Sequence, residues 1–155
     1  MIEEAFIQVY TKFKLHFYKS LFEKIQKRET SLTTVETYCI EIIYAMGNPT
    51  IGEFASFIQI SSPNAAYKVN SLIKKGYLEK VQSEDDKREY HLAVTEKYHN
   101  YYNLSTNYIK KVTERMKERF TEEELKVLEK VLTITSKELM PEVDKVNRTF
   151  VEEET

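Results

Sequence analysis

From Glu3 to about Gln26 the apolar residues Phe6, Val9, Tyr10, Phe13, Phe17, Leu21, Phe22 and Ile25 recur every three or four positions, the spacing that gathers side chains on one side of a helix. A second helix is predicted from about Thr34, because Thr33 and Glu36 supply the hydroxyl and the carboxylate of a reciprocal N-terminal cap. Val35, Cys39, Ile42, Ile43 and Met46 form its expected buried face, and Gly47-Asn48-Pro49 ends it. Thr50 and Glu53 repeat the cap and open a short helix through Phe54, Ala55, Phe57 and Ile58. Ser61-Ser62-Pro63 starts the next one, with a hydroxyl to cap it and a proline tolerated in the first turn; it runs to Lys75 and closes at Gly76.

A short helix, a tight turn and a longer helix have the spacing of a helix-turn-helix. After Gly76 the period changes: Tyr77–Val81 and Glu89–Val94 are short runs with partial alternation, read as two strands. The wholly polar stretch 82–88 between them suits a hairpin tip in solvent. A helix-turn-helix followed by such a hairpin is a winged helix. From Thr95 a long helix is predicted, with Tyr101, Leu104, Tyr108, Val112, Met116 and Phe120 as its seam. A third cap, Thr121 with Glu124, opens a last helix lined by Leu125, Leu128, Leu132, Leu139, Val143, Val146 and Phe150; Pro141 should kink or break it, and Glu152–Thr155 should fray.

Composition narrows the class. The chain has 155 residues, 41% of them hydrophobic, with only 3 Gly and 3 Pro. That supports a folded, mainly α protein with a small β wing, and disfavours sandwiches, barrels and glycine-rich phosphate cradles. Cys39 is the only cysteine, so no disulfide framework or thiolate zinc cluster forms within the chain. His16, His91 and His99 are far apart and lack carboxylates at ligand spacing, so neither metal nor cofactor is expected. No nucleophile with a base and no carboxylate dyad stands at meaningful spacing, so an enzyme is not expected. The amphipathic, acidic start and the lack of any 18-residue apolar run point to a cytoplasmic chain without membrane contact. Net charge is −2, but residues 61–88 carry +2 and residues 114–155 carry −4, so a mildly basic middle is offset by an acidic end.

Leu32-Thr33, Glu53-Phe54-Ala55 with Ile60-Ser61, Leu72-Ile73-Lys74-Lys75-Gly76-Tyr77-Leu78, Asp86-Lys87-Arg88 and Leu92-Ala93-Val94-Thr95-Glu96-Lys97 together resemble the MarR family of winged helix-turn-helix transcriptional regulators. The chain departs from that family's usual residues at Lys68, Ser83 and Tyr98. The resemblance spans nearly the whole chain and implies a single domain, 1–155. In it, residues 32–96 would form the DNA-binding lobe, and residues 1–30 with 96–150 a helical homodimerisation region. It further implies that Ser61–Lys75 contain the major-groove helix and that the wing tip approaches a minor groove.

Winding the recognition helix at about 100° per residue puts Ala65, Ala66, Val69, Leu72 and Ile73 on one side and Asn64, Tyr67, Lys68, Ser71 and Lys74 on the other. Asn can pair with adenine, Lys can reach guanine or phosphate, and Ser61 and Ser62 at the helix N-terminus suit phosphate. On the wing, Lys87 and Arg88 are the expected DNA contacts, with Asp86 orienting Arg88. Cys39, on an apolar stripe, reads as a buried, inert thiol. The many Tyr and Phe residues fit plain packing, and they also fit a pocket for a small aromatic or lipophilic effector. The expected function is a homodimeric regulator, a repressor, on a pseudo-palindromic operator of double-stranded DNA, its two recognition helices about 34 Å apart. The alternative is a winged helix used as a protein-interaction module without DNA binding.

Overall fold

The computed structural model describes residues 1–27, 31–102 and 104–144, the side chains of 101–105 excepted. Its elements are α1 (Ile2–Gln26), α2 (Thr34–Met46), α3 (Ile51–Ile58), α4 (Ser62–Lys74), β1 (Leu78–Gln82), β2 (Tyr90–Val94), α5 (Glu96–Tyr102), α6 (Leu104–Arg119) and α7 (Glu122–Glu138), with a 3-10 turn at Pro141–Val143. The protein is thus mainly α with a small β wing. Two compact units divide it: a winged unit within residues 31–102, and a helical unit formed by 1–27 with 104–144.

In the winged unit, both predicted capping boxes close in both directions. The Thr33 amide donates to Glu36 Oε2 at 2.9 Å while Thr33 Oγ1 accepts from the Glu36 amide at 3.2 Å. Thr50 and Glu53 repeat the exchange at the start of α3. α2 ends at Gly47 (φ 72°), and Asn48 follows with φ 57°, so two left-handed residues in succession turn the chain toward α3. The turn is also stitched to the wing, since the Leu92 amide donates to the Pro49 carbonyl at 2.8 Å.

The core sits where α2, α3, α4 and the wing's base converge. Ile40 and Ile43 of α2, Phe54 of α3, Val69 and Leu72 of α4, Tyr77 and Leu92 are essentially fully buried. Each such side chain stabilises the unit by about 1.5–3 kcal/mol relative to exposure. The buried arc of α2 differs in phase from the expected one. Val35 is exposed and Ile42 only half-buried, while Ile40 and Tyr44 take inward places beside Cys39, Ile43 and Met46. The reason is tertiary: α2 packs against α3, α4 and β2, so its buried arc is wider than one stripe.

β1 and β2 pair antiparallel, from Leu78 opposite Val94 to Gln82 opposite Tyr90. Only Leu78 and Leu92 of the two strands are buried, so the hairpin is anchored at its base and exposed beyond it. The helix predicted from Thr95 is described as α5 and α6, with residue 103 between them outside the described residues. The Thr95 hydroxyl donates to the Gly76 carbonyl at 2.6 Å, so it serves the end of α4.

In the helical unit, α6 packs on α1 and α7 on α6. Tyr108 is the pivot. Its ring meets Phe13 edge-on, with centroids 5.5 Å apart, and stacks on His16 with centroids 3.6 Å apart. The third capping box, Thr121 with Glu124, starts α7, which ends at Glu138, ahead of Pro141. Leu21 is the only buried residue of α1 and α7 buries none, so Phe6, Phe22, Val127 and Val131 remain exposed. Among the seam residues, Tyr108, Val112, Met116, Leu125 and Leu128 are half-buried, whereas Phe120 and Leu132 are exposed. Val146, Phe150, Glu152–Thr155 and the side chains of Tyr101 and Leu104 lie outside the described residues. Among the described residues, no helix is long and apolar enough to cross a membrane.

Candidate nucleic-acid interface

The site begins with the turn between α3 and α4. α3 ends on Gln59, a non-glycine residue held at φ 57°, and the Ile60 amide returns to the Ala55 carbonyl at 3.1 Å. Ser61 then caps α4, its Oγ accepting from the Asn64 amide at 3.3 Å, with Pro63 in the first turn. That bond occupies a lone pair of Ser61 and leaves its hydroxyl proton able to donate outward. Ser62 is exposed beside it, at an N-terminus whose partial positive charge suits a phosphate oxygen.

α4 is sharply two-sided. Ala65, Val69 and Leu72 are wholly buried, which fixes the rotation of the helix and turns Asn64, Tyr67 and Lys74 outward. Tyr67 is 76% exposed, a large aromatic ring that the core does not use. Lys68 is half-buried on the flank toward α2. Its charge is felt by Cys39: burial raises that thiol above its ordinary pKa, Lys68 opposes the rise and Glu36 adds to it. Cys39 is buried as expected, and the raised pKa keeps it a thiol.

Ser71 stands apart from the other residues predicted on the outward side. It is half-buried, and its hydroxyl donates to Glu36 Oε1 at 2.6 Å. Glu36 Oε2 accepts from Lys75 Nζ at 2.8 Å, and Lys75 donates also to the Ser31 carbonyl. Burial would raise the Glu36 pKa, but hydrogen bonds from Lys75, Ser71 and the Thr33 amide, with the Lys75 charge, outweigh it and hold the carboxyl below its ordinary value. Sequence reading saw Glu36 only as a cap and passed over Lys75. The available signal was a cation next to the helix-ending Gly76.

The wing is a built loop. The Ser83 amide donates to the Glu89 carbonyl, the Glu89 amide to the Asp86 carbonyl, and Gln82 Nε2 to the Lys87 carbonyl at 2.6 Å. Asp86 accepts the Arg88 amide and both arms of its guanidinium, and these bonds hold the Asp86 carboxyl below its usual pKa. Lys87 and Arg88 project into solvent. At the wing's base His91 Nδ1 lies 2.8 Å from the Asn48 carbonyl, a contact the sequence did not suggest. The structure therefore places Ser61, Ser62, Asn64, Tyr67, Lys68 and Lys74 on one helix and Lys87 and Arg88 on the adjoining hairpin. Ser71 is there too, but engaged inside. Among the described residues, no three His, Cys, Asp or Glu side chains are grouped to hold a metal ion.

This architecture is a winged helix-turn-helix. The MarR family model matches residues 32–90, which lie within the winged unit. The chain is similar in fold to the transcriptional regulator Tm0710 from Thermotoga maritima (21% identity, 90% of this chain and 93% of that one, TM-score 0.56). It is also similar to FabT of Streptococcus pneumoniae, solved in complex with DNA (24% identity, 89% and 94%, TM-score 0.54). A MarR family protein from Bacillus stearothermophilus aligns over 90% of this chain and 93% of its own with a TM-score of 0.61 at 16% identity. No curated protein sequence matches significantly.

Proposed function

We propose that this protein is a DNA-binding transcriptional regulator, a repressor that acts as a homodimer on a pseudo-palindromic operator. The observation that carries the reading is the outward side of α4: Asn64, Tyr67 and Lys74 are exposed on a helix whose opposite side is wholly buried, and a hairpin bearing Lys87 and Arg88 adjoins it. Asn64, Tyr67 and Lys68 would address base edges in the major groove, Ser61, Ser62 and Lys74 the phosphates, and Arg88 a narrow minor groove. The DNA complex of FabT is an instance of this fold on a duplex. Ser71 would contact DNA only by releasing Glu36.

Homodimerisation is supported by the apolar surface that α1 and α7 leave exposed, including Phe6, Phe22, Val127 and Val131. A second copy covering it would make the chain one domain that reads two half-sites about one helical turn apart. Release by a small aromatic or lipophilic effector would follow from a change in that spacing. The protein would act without a cofactor, in the cytoplasm.

The test is a gel-shift titration on the DNA upstream of the protein's own coding region, comparing wild type with Lys68→Ala and Arg88→Ala over a range of salt. Binding should weaken steeply with salt, because Lys68, Lys74, Lys87 and Arg88 are each doubled by symmetry. Weaker shifts in both variants support the assignment. A dimer indifferent to DNA would support a protein-interaction module instead.

A further inference from the structure

We infer that Glu36 is a positioning residue for DNA recognition: by gripping Ser71 and Lys75 it sets the angle at which α4 presents its reading side, without touching DNA itself. The inference rests on the DNA-binding reading above. Ser71 and Lys75 lie four residues apart at the C-terminal end of α4, so they share a flank one turn apart. One Glu36 oxygen accepts from Ser71 at 2.6 Å and the other from Lys75 at 2.8 Å. The same carboxylate accepts the Thr33 amide, so the grip is rigidly continuous with the first turn of α2.

A second hold completes the anchorage. Lys97 Nζ donates to the Lys75 carbonyl at 2.9 Å and the Thr95 hydroxyl to the Gly76 carbonyl at 2.6 Å. The C-terminal end of α4 is therefore fastened by the start of α2 and by the start of α5. Among the described residues, the side-chain hydrogen bond at the N-terminal end is its own cap from Ser61. Asn64 and Tyr67 ride on that half. A helix of 13 residues is about 20 Å long, so a tilt of roughly 6° about its anchored end displaces the far end by about 2 Å. That displacement is enough to break a bidentate contact with a base edge. Lys75, neutralised by Glu36, is accordingly assigned to the clamp and not to a phosphate.

The experiment uses the full chain and duplexes selected from a random-sequence pool by the wild-type protein, with scrambled duplexes of equal length as the non-specific probe. Fluorescence anisotropy at several salt concentrations compares wild type with Glu36→Gln, Lys75→Met, the double variant and Lys68→Ala. Glu36→Gln keeps a cap-competent side chain, and Lys75→Met keeps the aliphatic stem. Each should weaken binding to selected duplexes by about five- to twentyfold, leave binding to scrambled duplexes unchanged and preserve the salt slope. The double variant should bind no worse than the weaker single one. Lys68→Ala should instead lower the slope. Wild-type affinity in Glu36→Gln, or a slope lowered by Lys75→Met as by Lys68→Ala, overturns the inference while leaving the DNA-binding reading intact. Failure of the wild type to select any duplex overturns both. Should Glu36→Gln not fold, Lys75→Met and Ser71→Ala decide by the same two readouts.

Discussion

The Arg88 guanidinium lies along the Asp86 carboxylate, Nε to Oδ1 at 3.2 Å and Nη2 to Oδ2 at 3.3 Å, while the Arg88 side chain stays 92% exposed. Such an exposed pair contributes little to folding. What it does is restrict a side chain that would otherwise lose about 2 kcal/mol of rotamer entropy on being fixed. The wing thus presents a cation already aimed.

Asp86→Ala should therefore leave the melting temperature unchanged within a degree or so and weaken operator binding about three- to tenfold, with the salt slope retained. Arg88→Ala should weaken binding and also lower the slope, by about 2 for a dimer, because the cation itself is gone. Thermal melts and anisotropy titrations separate the two. Equal slopes in the two variants would contradict the orienting role of Asp86.

Leu72 and Tyr67 lie on opposite sides of the same helix and should respond oppositely. Leu72 is wholly buried, and Leu72→Ala should cost about 2–5 kcal/mol in urea unfolding through lost burial and the cavity left behind. Tyr67 is largely exposed, and Tyr67→Ala should move stability by no more than about 0.5 kcal/mol while weakening operator binding. A large stability loss in Tyr67→Ala would mean that the ring is packed, and would remove it from the interface.

What was legible in the sequence was local. All three capping boxes, at Thr33, Thr50 and Thr121, join residues three apart, so the pattern of hydroxyl and carboxylate is the structure itself. The Asp86 and Arg88 pair spans two residues and was equally readable. The Glu36 grip was not, because its partners Ser71 and Lys75 stand 35 and 39 residues away and meet it only after α2 and α4 pack. The phase of α2 failed for the same reason: periodicity shows that a stripe exists, but Ile40 and Tyr44 are buried because other elements surround them. Ser71, placed by the helical wheel among DNA contacts, lies at the edge between the two sides, where the neighbour and not the wheel decides what the hydroxyl meets.

Two backbone positions carry opposite predictions. Gln59 sits at φ 57° and ψ 48°, a left-handed conformation that costs a side-chain-bearing residue about 1–2 kcal/mol, so Gln59→Gly should stabilise the winged unit by about 0.5–1 kcal/mol. Gly76 sits at φ 85°, and an added Cβ would meet Lys97 Cδ at an ordinary 3.7 Å. Gly76→Ala should therefore lose about 1 kcal/mol through backbone strain alone, without a clash. Urea midpoints at one fixed protein concentration measure both changes.

Glu41 makes folding stability depend on pH near neutrality. Glu41 is half-buried beside Tyr98, whose hydroxyl donates to Oε1 at 2.9 Å; desolvation pushes the pKa up to about 7, and the Tyr98 hydrogen bond only partly counters it. A carboxyl with a folded-state pKa above its unfolded value is protonated preferentially in the folded chain. The stability it contributes is complete below about pH 4.5 and is lost as pH rises toward and through 7. The loss should be on the order of 3 kcal/mol by pH 8. The quantity to measure is the difference between wild type and Glu41→Gln in urea unfolding at pH 5, 6, 7 and 8, at constant protein concentration, so that contributions common to both proteins cancel. Gln cannot ionise and keeps an acceptor for Tyr98, so its advantage over wild type should grow with pH and level off above 7. A difference that stays constant from pH 5 to pH 8 would mean that Glu41 is already charged at the acid end, and that Tyr98 and nearby solvent hold it as an ordinary carboxylate.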